Sequence, residues 1–401
     1  MATSGSARLP ALPPALLLAG ALLAGCSPGG GAPPGPASSA PTRAAAVRTV
    51  PACEVPLPDA WERAFAAGEY RPPAGQRAVL TDTGPGWTAL QLTGNGSGGG
   101  DSGGRRAVLV RGDGTGPRTL LRFADPVEHQ LLAADFDGRR WAAFAVLEGR
   151  TLDSPWSLYV WDAVTGTARR LARADRPGPL PRPVVRDGTV VWAQGTGTGR
   201  ATVFAAPAAD GGGGGGHARA WRTAVLDTPF AAGGLLVWRE SAGGHTRPVA
   251  VALKDGRPAA LPAPIAALRD IRALASDGTT WAWVEGETAP RLMVWRPGEA
   301  RPFAAVTASP AADGMDQLRI AGRLVTWRTP ETSYALDLGR PGRPASGSGS
   351  YARITPPYGY AAASGNALAL AYSVGNAKTA GARPVIRVVD AARLPGLPGC
   401  G

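Results

Sequence analysis

An all-β ring of repeated four-stranded sheets is the fold class that this sequence predicts, and three observations predict it. The first is a recurring phrase, a turn glycine followed by a run of Trp, Val, Leu and Ala. It recurs at Gly138, Gly188, Gly234, Gly278, Gly322 and Gly365, at intervals of 50, 46, 44, 44 and 43 residues. A period near about 45 residues, filled with short strands, is the sequence signature of propeller blades. The second is the character of those runs. Thr280-Trp-Ala-Trp-Val284 is apolar throughout, which suits a strand covered on both faces, as blades packed against neighbouring blades must be. The third is the position of Cys53 and Cys400, which bracket the repeated region, where a ring of blades has to be closed.

At the start of the chain Arg8 precedes the apolar stretch from Ala15 to Ala24. That stretch is too short to cross a bilayer as a helix and has the length of an export signal. It ends in Leu23-Ala24-Gly25-Cys26, which resembles a bacterial lipobox. The resemblance implies a lipoprotein signal peptide over residues 1–25, with the Cys26 thiol taking a diacylglycerol thioether and becoming the mature first residue. Residues 26–46 are, after Cys26, almost all Ser, Pro, Gly and Ala, with Thr42 and one charge at Arg43, a composition that buries no core and reads as a flexible tether. A diacyl anchor supplies two buried chains, enough for stable attachment. The expected location is the extracytoplasmic face of the cell membrane.

Residues 47–401 are then one propeller domain, expected to be monomeric. In an oxidising compartment Cys53 and Cys400 are most simply a disulfide, the other reading being two free thiols. Net charge is +12, carried almost wholly by Arg, with lysine only at Lys254 and Lys378. That excess favours anionic lipid or cell-wall polymer as surroundings. No dense basic cluster interleaved with aromatics occurs, so nucleic acid is not an expected partner.

Seven units can be read along the chain, with six or eight as alternatives. The first spans Arg77 to Phe123, the second Leu131 to Leu171 and the third Pro183 to Val225. In the fourth, strands are expected at Pro229 to Ala232, Leu235 to Arg239, Pro248 to Leu253 and Arg257 to Leu261, with turns at Gly243-Gly244 and Asp255-Gly256. The fifth runs from Ile271 to Val306 and the sixth from Gln317 to about Ile354. The seventh, from Tyr358 to Val389, lacks a fourth strand, and the segment from Ala46 to Val55 is expected to supply it. Trp141, Trp192, Trp238, Trp283 and Trp327 are read as core. The insertions from Thr93 to Gly104 and from Ala208 to Gly216 read as surface loops.

Tyr159-Val160-Trp161-Asp162, the Thr165-Gly166 turn after it and the repeated Asp-Gly resemble blades of TolB-like and WD-repeat-like propellers, over about residues 75 to 395. What the resemblance implies is a disc with a central channel used to bind proteins, glycans or small ligands.

Chemistry is sparse. Gly100-Asp-Ser-Gly-Gly104 matches the peptide around a trypsin-like nucleophile, but a Ser nucleophile needs a His base in reach. His129, His217 and His245 all follow it, whereas that family places its base upstream. Three histidines so far apart supply no local metal site, and neither a metal nor another cofactor is expected. Asp135-Phe-Asp137-Gly lacks the further oxygen ligands of a calcium loop and reads as a turn. One constellation remains as a candidate ligand site. Glu128, His129, Asp227, Asp270, Asp316 and Tyr358 sit at the start of innermost strands, and Arg186, Arg272 and Arg319 lie within them. The function expected is that of a lipid-anchored binding or scaffolding protein presenting its propeller to a protein or cell-envelope polymer. The alternative is a propeller hydrolase or lyase acting on a glycan, with acids drawn from Glu128, Asp227, Asp270 and Asp316.

Overall fold

Glycine turns and the apolar strands they reverse form seven blades in the computed structural model. It describes residues 48–49, 52–94, 104–112, 115–124, 129–197, 199–209, 218–307, 314–339, 349–375 and 382–400. Cys26, the tether, most of both insertions, His217 and Glu128 fall outside those residues. Blade 1 holds strands Gln76–Gly84, Trp87–Gly94, Arg105–Arg111 and Arg118–Arg122. Blade 2 holds His129–Phe136, Trp141–Glu148, Trp156–Asp162 and Thr167–Ala174. Blade 3 begins on Val184–Arg186, blade 4 on Phe230–Ala232, blade 5 on Ala273–Ser276, blade 6 on Asp316–Ala321 and blade 7 on Tyr360–Ser364. Within each blade successive strands are antiparallel, and the inner strand of blade 7 packs against that of blade 1, which closes the ring.

The repeated Asp-Gly does two jobs. At Asp187-Gly188 both residues have positive φ, 47° and 72°, and Arg186 pairs with Thr189 across them. That is the two-residue hairpin turn whose twist matches the strands it joins. At Gly278 the demand comes from the neighbouring blade. A Cβ there would lie 2.7 Å from the backbone N of Gly233, the turn glycine of blade 4. Gly322 N–H likewise donates to the Gly365 carbonyl at 2.7 Å. The phrase that recurs in the sequence therefore also marks where blade touches blade.

Trp192, Trp238, Trp283 and Trp327 are buried, as expected of second strands covered on both faces. Trp141 differs. It is only partly buried, packing against the core between blades 2 and 3, and the Arg140 guanidinium lies 4.4 Å from its ring centroid.

Blade 4 departs from the expected pattern. Its third strand runs His245–Ala252, but the segment Arg257 to Leu261 makes only the single bridge between Val251 and Pro258. Two backbone bonds flank that bridge, from Ala252 N–H to the Arg257 carbonyl and from Ala259 N–H to the Ala250 carbonyl, and the pairing goes no further. The outer strand of blade 3, Arg219–Leu226, reaches across instead and pairs Val225 with Ser241, joining the two blades into one sheet. Arg222 in that strand forms a bidentate pair with Glu240 of blade 4 and holds its carboxyl below the usual range.

Closure is also arranged differently from the expectation that Ala46 to Val55 completes blade 7. Arg48–Thr49 adds in parallel to the outer strand of blade 5, and Cys53–Glu54 adds in parallel to that of blade 6. A helix, Asp59–Ala67, follows, burying Trp61 and Phe65 one turn apart against Leu324, Ile354, Leu368 and Leu394 of blades 6 and 7 and the tail. Only then does Glu69–Tyr70 supply the fourth strand of blade 7, antiparallel to Arg383–Asp390. The N-terminal segment thus runs along three blades in turn. Cys53 and Cys400 are joined, with Sγ atoms 2.10 Å apart.

Candidate functional site

The inner strands and the loops beside them enclose a cavity of about 630 Å³. Its charged lining is Asp82, Asp135, Arg182, Arg186, Asp277 and Arg319. Asp82 and Asp135 occupy the same register in blades 1 and 2. Each follows a bulge in the inner strand and pairs with the third residue of the next strand, Ala89 or Ala143. Each also bonds to the following blade. Asp82 Oδ2 accepts from Ala134 N–H at 3.2 Å, and Asp135 Oδ2 accepts from Val185 N–H at 2.8 Å. These carboxylates clamp one inner strand to the next. Asp135 is also 3.3 Å from Arg186 Nη1.

Burial pushes the Asp135 carboxyl up to about 6, against the opposing pull of Arg186 and the Val185 N–H. A folded-state pKa raised above that of the unfolded chain means that ionisation costs the fold stability. The cost is absent below about pH 4, where the group is protonated in both states, grows between about pH 4 and 6, and is complete above that. Asp135→Asn keeps an acceptor for Val185 and removes the charge. The variant is expected to melt about 2–3 °C above the unsubstituted protein near neutral pH and level with it near pH 4. Equal differences at both pH values in calorimetry would refute the assignment.

Of the residues proposed from sequence, Arg186 and Arg319 line the cavity. The other described ones do not, and most are engaged elsewhere. Asp227 accepts from Arg239 N–H at 2.8 Å and from its guanidinium at 2.5 Å; the same guanidinium donates to the carbonyls of Ile271 and Arg272. That group ties blade 4 to blade 5. Asp270 has a positive φ of 51° and accepts from Thr246 N–H and from His245 Nδ1, both at 2.8 Å. The Thr246 N–H, then His245, hold it below the usual carboxylate range. His129 stacks on Phe123 with centroids 5.7 Å apart. Arg272 is half-buried and Asp316 is exposed. Tyr358 is 81% exposed on a turn of positive φ, its N–H donating to the Glu331 carbonyl. Asp137, part of the fragment read as a turn, caps that turn by accepting from the N–H groups of Arg139, Arg140 and Trp141. Asp82, Asp135 and Arg182 were not anticipated as lining the cavity. The signal available for the first two was an Asp near the end of each inner strand, shortly before the turn and the Trp that opens the second strand.

Among the described residues no group of three or more His, Cys, Asp or Glu side chains is placed to hold a metal ion, and no helix is long and apolar enough to cross a membrane.

The architecture and its axial cavity define a seven-bladed β-propeller. No family model matches the sequence, and no curated protein matches it. Solved structures do. One, from work on two prolyl endopeptidases, is 15% identical with a TM-score of 0.51, the match covering 86% of this chain and 50% of that one. This chain therefore spans about half the length of that protein, and the likeness is one of fold. The β-propeller domain of the Trilobed protease from Pyrococcus furiosus is 10% identical, with 78% of this chain and 96% of that one covered, at a TM-score of 0.47. Oligopeptidase B from Leishmania major is 9% identical, with 79% and 48% covered, at 0.49.

Proposed function

We propose that this chain is an extracytoplasmic lipoprotein, anchored through Cys26, whose propeller works as a binding or scaffolding module for a protein or cell-envelope partner. The leader, the Cys26 lipobox and the tether that follows support the address. The observation that carries the binding role is the axial cavity, whose charges come from several blades at once and which a ligand can fill without displacing the core. The acids first considered for glycan cleavage speak for the same reading. Asp227 and Asp270 are spent on Arg239, His245 and the Thr246 backbone.

The test is to cross-link the lipidated protein in its native membrane, purify it and identify by mass spectrometry what accompanies it. A stoichiometric partner is the expected result. Recovery of the protein alone would sink the scaffold role. Metabolic labelling with a fatty-acid analogue, lost in Cys26→Ser, tests the anchor separately.

A second reading, a glycan hydrolase or lyase, is favoured by one observation. Asp82 and Asp135 line the same cavity, and Asp135 holds its proton to higher pH than an ordinary carboxyl. Release of soluble fragments from wall polymer, abolished in Asp135→Asn, would establish it over the binding role.

A further inference from the structure

The charges around the cavity can be followed one by one. Asp82 and Asp135 each accept a backbone N–H of the next blade. Asp277 is engaged by its own turn, accepting from Thr279 N–H at 2.8 Å and Thr280 N–H at 2.7 Å. Arg186 is held by Asp135 and by the Val185 carbonyl at 2.7 Å. Two guanidiniums are left over. Arg319 donates to the Leu318 carbonyl at 2.8 Å and, among the described residues, has no carboxylate within ion-pair distance. Arg182 has neither an ion pair nor a hydrogen bond among the described residues.

These two arginines come from different parts of the ring, Arg182 from the connection into blade 3 and Arg319 from the inner strand of blade 6. They line the same cavity, close enough that the Arg182 charge acts on Arg319. Burial, and then the Arg182 charge, lower the Arg319 pKa to about 9, opposed only by Asp82. A guanidinium does not shed its proton at neutral pH, so the repulsion stands and calls for a counter-charge. Arg182 is flanked by Pro181 and Pro183, whose fixed φ angles restrict the backbone on either side of it. The rest of the lining includes Leu132, Phe230, Leu274 and Ile320, an apolar surface beside the charges. A volume of about 630 Å³ falls in the range of small-molecule pockets.

We propose that the axial cavity binds a small organic anion, its carboxylate or phosphate held between Arg182 and Arg319 and its apolar body lying against Phe230, Leu274 and Ile320. The site deepens the binding reading above and rests on it. The anion supplies the direct ion-pair partner that neither arginine has among the described residues.

The full chain, purified in detergent micelles, is titrated calorimetrically with phenyl phosphate, benzoate and neutral benzamide. One-to-one binding of at least one anion, with no heat from benzamide, is expected, and which anion binds distinguishes a phosphate from a carboxylate site. Arg182→Met and Arg319→Met are each expected to weaken that binding by at least about tenfold, because each removes a charge-assisted contact to the anion. Arg319→Lys restores part of it, and the exposed control Arg291→Gln leaves it unchanged. Without ligand Arg319→Met is expected to melt at or above the unsubstituted protein, since it removes an uncompensated charge. Absence of anion binding, or equal binding in Arg182→Met and Arg291→Gln, overturns the proposal. The cross-linking experiment repeated with the Arg182→Met/Arg319→Met double variant separates the two levels. A partner still captured by it, with no anion bound by the unsubstituted protein, removes the anion site and leaves the scaffold role standing.

Discussion

Reducing the bond between Cys53 and Cys400, or replacing both by Ser, is expected to lower the stability of the propeller by about 4 kcal/mol. The cross-link spans 347 residues, so it removes much of the conformational freedom of the unfolded chain. It also acts locally, because Cys53 sits in the short strand added to the outer edge of blade 6 and Cys400 ends the tail. Without it that strand retains its two residue pairs, Cys53 with Ser350 and Glu54 with Tyr351, and the bonds from Cys53 N–H to the Gly349 carbonyl and from Val55 N–H to the Tyr351 carbonyl. Chemical denaturation of oxidised and reduced protein measures the effect, and an unchanged midpoint would show that the bond does not constrain the unfolded state. Cys53→Ser/Cys400→Ser in the absence of reductant separates loss of the bond from side effects of the thiol reagent.

Asp337→Ala is expected to cost about 3–5 kcal/mol, because it strands a charge. Asp337, almost wholly buried, accepts from Arg323 Nε at 2.9 Å, from Gly339 N–H at 2.9 Å and from Leu397 N–H at 3.0 Å. Arg323, itself only 14% exposed, carries the connection onward to the carbonyls of Leu394 and Pro395, each at 2.8 Å. Trp61 Nε1 donates to the same Pro395 carbonyl at 2.8 Å. Removing the carboxylate leaves the guanidinium uncompensated and loosens the tail at once. Asp337→Asn keeps one acceptor oxygen and turns an NH2 toward either the Leu397 N–H or the Gly339 N–H and Arg323, so it is expected to cost less than the alanine but still to destabilise. Limited proteolysis supplies the second readout, with cleavage after Arg393 expected in Asp337→Ala before any blade opens. A variant that melts like the parent and resists protease would mean that Arg323 finds water there instead.

Much of the ring was legible because a blade is a periodic object. The Trp, Val and Leu runs after each glycine announced second strands, and six of the seven inner hairpins followed from the same spacing. Closure was not legible for a physical reason. Glu69–Tyr70 is a two-residue strand with no alternation to read; it pairs with Ile386 and Arg387, and Glu69 bonds to Arg383 more than 300 residues away, a contact no local pattern announces. The helix before it shows only Trp61 and Phe65 at helical spacing, a short signal beside the neighbouring prolines. The failed fourth strand of blade 4 is the converse case. There Arg257 and Ala259 do bond to Ala252 and Ala250, where the periodicity suggested a strand, but the pairing stops after one bridge.

At the cavity, Arg186 and Arg319 were anticipated because they lie within inner strands. Most of the acids chosen beside them precede those strands, and the cavity is lined chiefly by residues further along, such as Asp82 and Asp135. Which stretch of a strand lines the axis depends on the tilt of the blade and on bulges such as those after Leu80 and Leu131, and neither leaves a mark in composition. Arg182 lay in a proline-flanked connection that belongs to no strand, so no periodicity pointed to it.

The belt of N-terminal segments sets the order in which this protein can be finished. Glu69 and Tyr70 leave the ribosome among the first residues of the ring, yet their partners Ile386 and Arg387 are made more than 300 residues later. The first edge to be synthesised is therefore the last to be paired, and blade 7 stays open until the whole chain is present. Pairing of such separation is slow and exposes strand edges while it waits. A truncated or stalled chain cannot pass for a mature one, because completeness of the polypeptide is a precondition of a closed ring.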